Sequence, residues 1–148
     1  MIIVGYQGIG KSTLAKNSYK YIDLESGNFW INEERHDDWY KAYCKIAAHL
    51  SAQGNTVLVS SHYIVREELK KYSEEVKCCF PSVDLQEEWI KKLEDRYNES
   101  KLDKDFKAWQ NAYNSYFENI FDLMESGFDN IIIRSMDYDL RELIEEDE

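Results

Sequence analysis

The chain has 148 residues, a formal net charge of −11 and a pI of about 4.7. Its length fits a single domain with a substantial core. The acidic balance argues against a broad interface with DNA or RNA backbone, and no apolar run approaches membrane-span length.

Met1-Ile2-Ile3-Val4 reads as a short buried strand. A strand opening at Met1 leaves no room for a signal peptide, so a cytoplasmic protein is expected. Gly5 to Ser12, G-Y-Q-G-I-G-K-S, fills every fixed position of G-x-x-x-x-G-K-[ST], and helix-forming residues run from Lys11 to Tyr19. Strand, glycine turn and helix is the context this pattern needs. Gly5, Gly8 and Gly10 let the backbone curl with its N–H groups inward, an anion-binding nest whose amides run through Gln7, Ile9 and on to Thr13. Lys11 would reach the β- and γ-phosphates, and the Ser12 hydroxyl would ligate Mg²⁺. The expected ligand is a nucleoside triphosphate.

Tyr19 to Leu24 looks like a second strand with an acidic end, and Gly27-Asn28 marks a loop. Trp39, Tyr43, Ile46, Ala47 and Leu50 recur at helical spacing from about Asp37 to Gln53, and Gly54 closes that helix. Thr56 to Ser60 is a third strand, followed by a helix over about Tyr63 to Tyr72. A fourth strand runs from Glu75 to Phe80 and stops at Pro81, the only proline. Trp89, Ile90, Leu93 and Tyr97 mark the next helix, which ends at a polar break over Glu99–Lys104. Phe106, Trp109, Tyr113, Phe117, Ile120, Phe121 and Met124 then form one apolar stripe of a long helix, read as core packing. Asn130 to Arg134 is a fifth strand, and the Glu145–Glu148 tail is expected to fray. Cys44, Cys78 and Cys79 show neither metal spacing nor disulfide geometry and read as reduced thiols.

Alternating strands and helices predict an α/β protein with a five-stranded parallel sheet and helices on both faces. Ligands in such sheets sit beyond the carboxyl ends of the strands. The candidate list is therefore Gly5 onward, Asp23–Ser26, Ser60–His62 and Pro81 onward.

On its phosphate loop and element order the chain resembles the small P-loop kinases, the nucleoside monophosphate kinases and their shikimate- and gluconate-kinase-like relatives. Weaker matches are the acidic end Asp23-Leu24-Glu25, the third strand leading to Val65-Arg66, Phe80-Pro81, and the basic helix Lys91-Lys92…Arg96. The resemblance implies a P-loop NTPase fold with an acceptor-binding segment at about 24–54 and a lid-like segment at about 82–105. Two features depart from the family. The third strand ends in Ser60-Ser61-His62, where many relatives have a magnesium-holding Asp, and the lid carries lysines where some relatives carry arginines.

The resemblance puts Asp23 near Mg²⁺, beside Ser12, and Glu25 on the acceptor, as a positioning group or as a base for an acceptor hydroxyl. It puts Arg66 on an acceptor phosphate, for which its planar fork is suited, and a second clamp at Arg35. Both arginines also have acidic neighbours for ordinary ion pairs. Lys92 and Arg96, four apart on one helix face, would stabilise the migrating phosphoryl group, although Glu88, Glu94 and Asp95 offer them surface pairing. Phe29 or Trp30 would stack on a base. His62 reads more readily as a hydrogen-bonded structural histidine.

The leading expectation is a Mg²⁺- and ATP-dependent phosphotransferase acting on a nucleoside monophosphate, deoxynucleotides included. Two alternatives stay open: a kinase for a hydroxyl of a non-nucleotide metabolite, and an ATP-binding switch protein. The expected partner is a small-molecule acceptor, with no extended nucleic acid and no membrane. The sequence carries no signal for oligomeric state.

Overall fold

A computed structural model describes residues 1–29 and 36–148, residues 28 and 29 by their backbone alone. The strands are β1 (Ile2–Gly5), β2 (Tyr21–Asp23), β3 (Thr56–Val59), β4 (Val76–Pro81) and β5 (Asp129–Ile133). The helices are α1 (Lys11–Asn17), α2 (Trp39–Ala52), α3 (Tyr63–Leu69), α4 (Gln86–Ser100), α5 (Asp103–Met124) and α6 (Leu140–Glu146), with 3₁₀ turns at Ser26–Phe29 and Val83–Leu85. The five strands among the described residues are all parallel, in the order β2-β3-β1-β4-β5. The chain runs outward from β1 to β2, returns through β3 and then moves to the other side. The order therefore reverses at β1, and the crevice beside its carboxyl end is the predicted ligand position.

Every residue of β1 and β3 is buried, as expected for central strands covered on both faces. Two neighbours on β4 mark the two faces. The Lys77 ammonium reaches the Asp147 carboxylate just past α6 (2.8 Å), whereas the Cys78 thiol meets the Ser126 hydroxyl just past α5 (3.3 Å). Successive strand residues point to opposite sides, so helices cover the sheet on both. The three cysteines are free and buried, and burial pushes the Cys44 and Cys79 thiols up to about 12. No helix among the described residues is long and apolar enough to cross a membrane.

Two expectations are corrected. The acidic tail does not fray: α6 is capped by the Asp139 carboxylate, which accepts from the Glu142 amide (3.1 Å), and it buries Leu140 and Ile144. Glu145 accepts from the Tyr21 hydroxyl, and Asp147 serves Lys77. The run of acids masked an amphipathic helix whose charges have partners.

The second correction concerns α5. Its core face is Ala112, Tyr116, Ile120 and Leu123, while Tyr113 (66% exposed), Phe117, Phe121 and Met124 stand outward. The helix carries two apolar stripes. Tyr116 belongs to the one that packs: its hydroxyl donates to the Ser82 carbonyl (2.8 Å) and its ring meets Tyr6 edge-on. The helix also breaks at Ser115 (φ −142°, ψ 28°), so one helical phase does not hold along its length.

Candidate functional site: the crevice beyond β1

The loop after β1 is a set of peptide groups sorted by direction. Gly8 (φ +90°) and Gly10 (φ +105°) hold left-handed backbone that glycine adopts without penalty. A Cβ at Gly5 would lie 2.6 Å from Ile9 Cδ1 and 2.9 Å from Lys11 Cδ, so those two side chains would have to shift to admit one. Alternate carbonyls each receive a donor. Gly5 O accepts from Lys11 Nζ (2.7 Å), Gln7 O from the Trp89 indole (2.9 Å) and Ile9 O from the Tyr138 hydroxyl (2.8 Å). With the carbonyls held this way, the amides of Gly8, Gly10 and Lys11 take no acceptor among the described residues. Successive backbone amides without an acceptor are a feature that can bind an anion.

Lys11 meets the acidic end of β2. Burial lowers its pKa, and the negative charges of Asp23 and Glu25 oppose that shift. Asp23 is raised to about 6, first by burial and then by Glu25, with Lys11 pulling the other way. The Tyr43 hydroxyl fixes this corner: it donates to the Leu24 carbonyl (2.6 Å) and accepts from the Ser60 amide (2.9 Å), joining the ends of β2 and β3.

From the other side, α4 supplies cations. Lys92 lies 4.4 Å from the Trp89 ring centre and donates to the Tyr138 hydroxyl (2.8 Å). Burial, then the nearby Arg96, lowers its pKa to about 8. Arg96 pairs with Asp105 (3.1 Å), a buried carboxylate that also accepts from Ser100. These groups border a cavity of about 870 Å³. Gln7, Gly8, Ile9, Gly10, Lys11, Ser12, Thr13, Asp23, Glu25, Lys92 and Arg96, all singled out from the sequence, line this one space.

A second cavity of about 370 Å³ also opens on Gln7, Lys11 and Ser60. Arg66 lines it but is already engaged: it is buried, ion-paired with the Asp122 carboxylate, and donates to the carbonyls of Ser61 (3.1 Å) and Asp122 (3.3 Å). His62 Nδ1 is 2.8 Å from Ser60 Oγ, and its ring meets Trp39 edge-on. Arg35, Trp30 and the Phe29 side chain lie outside the described residues.

Sequence reasoning missed Trp89 and Tyr138 as loop supports, and Lys104, Asp105, Asn111 and Asn119 as lining residues. Trp89 was read only as an apolar helix position, and Tyr138 sits in an irregular stretch after β5 with no periodicity. The donor set suits Mg²⁺, a hard cation that takes hydroxyl and carboxylate oxygens. Among the described residues no three His, Cys, Asp or Glu side chains converge. A Mg²⁺ held by Ser12 and Asp23 would complete its shell with phosphate oxygens and water. No protein-family model matches the chain, and no curated protein sequence does.

Proposed function

We propose that the chain is a P-loop phosphotransferase that moves the γ-phosphoryl group of ATP to a small acceptor, a nucleoside monophosphate in first place. The observation that carries this reading is the Gly5–Ser12 loop, whose Gly5, Gln7 and Ile9 carbonyls accept from Lys11, Trp89 and Tyr138. Gln7 to Thr13 line the same cavity as Lys92, Arg96, Asp23 and Glu25.

In this reading the loop amides and Lys11 bind the β- and γ-phosphates, and Lys11 gives up its Gly5 contact to do so. Ser12 and Asp23 hold Mg²⁺, which neutralises charge on the phosphate oxygens. Arg96 and Lys92 stabilise the equatorial oxygens of the group in flight, so rate comes from positioning and charge neutralisation. A monophosphate acceptor is already anionic and needs no strong base.

A second reading, transfer to a hydroxyl of a non-nucleotide metabolite, has its own support. Asp23 at about 6 is tuned for a general base near neutral pH, and Arg66 is neutralised by Asp122 rather than free for an acceptor phosphate. The deciding experiment is ADP production from Mg²⁺-ATP with each ribo- and deoxynucleoside monophosphate, with Lys11→Ala as control. Turnover with one or a few monophosphates that Lys11→Ala abolishes is the expected result. Unchanged activity in Lys11→Ala refutes the mechanism. A blank panel with ATP binding intact shifts the reading to a hydroxyl acceptor or an ATP-dependent switch.

A further inference from the structure

The second cavity has a chemistry distinct from the first. Three carboxamides and a phenol meet there: Gln7 from the loop, Asn111 and Asn119 from α5, and the Tyr6 hydroxyl. The Asn119 amide donates to Asn111 Oδ1 (2.7 Å) and to the Tyr6 hydroxyl (3.1 Å). The Gln7 amide donates to Asn111 Oδ1 (3.0 Å) and to the Ala108 carbonyl (3.1 Å).

This contact between Asn111 and Asn119 is not available to a regular helix. Eight residues rise about 12 Å along a straight helix, beyond the reach of two short carboxamides. The break at Ser115 lies between them and brings the two ends together. Proline and glycine, the usual causes of a kink, are absent from α5. The kink and the amide cluster are therefore one feature.

Once those bonds are counted, the Asn111 amide nitrogen, Gln7 Oε1 and Asn119 Oδ1 have no partner among the described residues. They leave one donor and two acceptors. Charge on the same wall is balanced, because the Arg66 guanidinium is bound to Asp122. A phosphate or carboxylate on this wall would face amide oxygens and the Asp122 carboxylate. A flat, uncharged ring edge bearing both N–H and C=O groups complements it, while Lys11 offers the cation for an anionic end of the same molecule.

We infer that the second cavity seats the acceptor and that Gln7, Asn111 and Asn119 read its nucleobase. This rests on the phosphotransferase reading above and assigns specificity to residues that reading leaves unused. Asn111 is exposed and Gln7 and Asn119 are half-buried; a seated base would cover them, and one that left them unpaired would be rejected.

The test is calorimetric titration of the protein, saturated with Mg²⁺ and a non-hydrolysable ATP analogue. The titrants are the ribo- and deoxynucleoside monophosphates, the free nucleosides and ribose 5-phosphate. One base is expected to bind at least about tenfold more tightly than the others and than ribose 5-phosphate. Asn119→Leu should erase that preference, and Asn111→Asp, which replaces a donor with an acceptor, should change which base is preferred. In both variants the affinity for the ATP analogue stays within about twofold, and thermal melts verify the fold. Asn119→Asp, close in shape to the native residue and also expected to erase the preference, provides a third variant should Asn119→Leu unfold α5.

Ribose 5-phosphate binding as tightly as the nucleotides, an unchanged ranking in folded variants, or no binding by any titrant overturns the inference. Base-selective binding without ADP formation would instead refute the phosphotransferase reading and leave the base-reading site standing. Turnover with only a non-nucleotide hydroxyl would do the reverse.

Discussion

Tyr138→Phe isolates what holds the Gly5–Ser12 loop in shape. The substitution keeps the ring and its stack on Trp89 (6.0 Å, 25°) but removes the hydroxyl that donates to Ile9 O and accepts from Lys92. Lys92 can turn toward the adjoining cavity and water. The carbonyl cannot unless the loop itself moves, because Ile9 is 1% exposed. Leaving a buried acceptor without its donor costs about 1–3 kcal/mol. An empty loop relaxes to find another partner, whereas a loop wrapped on phosphate must keep the carbonyl outward. The cost therefore falls on binding, and ATP affinity should drop roughly 5- to 150-fold. Calorimetric titration with Mg²⁺-ATP measures this directly. Tyr21→Phe, which removes a hydroxyl bonded to Glu145, serves as a control expected to leave ATP affinity unchanged. An affinity within about twofold of wild type in a folded Tyr138→Phe protein would refute the claim that this hydroxyl sets the loop.

Gly8→Ala should weaken ATP binding more than Gly10→Ala. Both sites have left-handed φ, but a Cβ at Gly8 also meets Leu93 Cδ2 at 2.9 Å and the Trp89 nitrogen at 3.2 Å, while at Gly10 nothing lies within 4 Å; equal losses would show that packing contributes nothing. The rate should fall as pH rises through about 8, where Lys92 loses its proton. Lys92→Arg, which stays charged, should remove that alkaline limb, and an unchanged limb assigns it to another group. Asp23→Asn should raise the melting temperature at pH 7.5 while reducing turnover. A carboxylate raised to about 6 when folded binds more protons than the unfolded chain between its ordinary value and 6, so stability falls as pH rises through that window. The stabilisation should accordingly vanish below about pH 4, and a variant that melts lower at pH 7.5 contradicts the account.

The parallel sheet was readable from five short apolar runs and the helices between them, because parallel pairing requires crossovers and buries both faces of every strand. The loop was readable because its constraint is local: glycines where backbone must turn or pack closely, and a lysine within reach. What the sequence concealed was partnership across distance. Trp89 and Tyr138 lie far from the loop in sequence and carry no motif, yet they hold two of its carbonyls. Arg66 showed as a cation past β3 but not as the partner of Asp122, which is contributed by α5. On α5 itself the more conspicuous aromatic stripe pointed outward, since small Ala112 and a break at Ser115 decide which side packs. Periodicity shows that a helix has an apolar side; it does not choose between two.

The cations at the carboxyl end of the sheet also have a kinetic consequence. Lys11, Lys92, Arg96, Lys104 and Arg141 border the first cavity together with Asp23, Glu25, Asp105 and Asp139, in a chain whose formal net charge is −11. From afar an anion meets a repelling surface; within about 10 Å of the mouth, the Debye length at moderate salt, it meets cations that offset the nearby carboxylates. Added salt dissolves the long-range barrier before it weakens the enclosed contacts. Capture of a polyphosphate should then quicken at first as ionic strength rises, the reverse of a protein that draws anions in with a basic exterior. The same field would favour a polyphosphate that arrives with part of its charge already cancelled by a divalent cation over one that arrives bare.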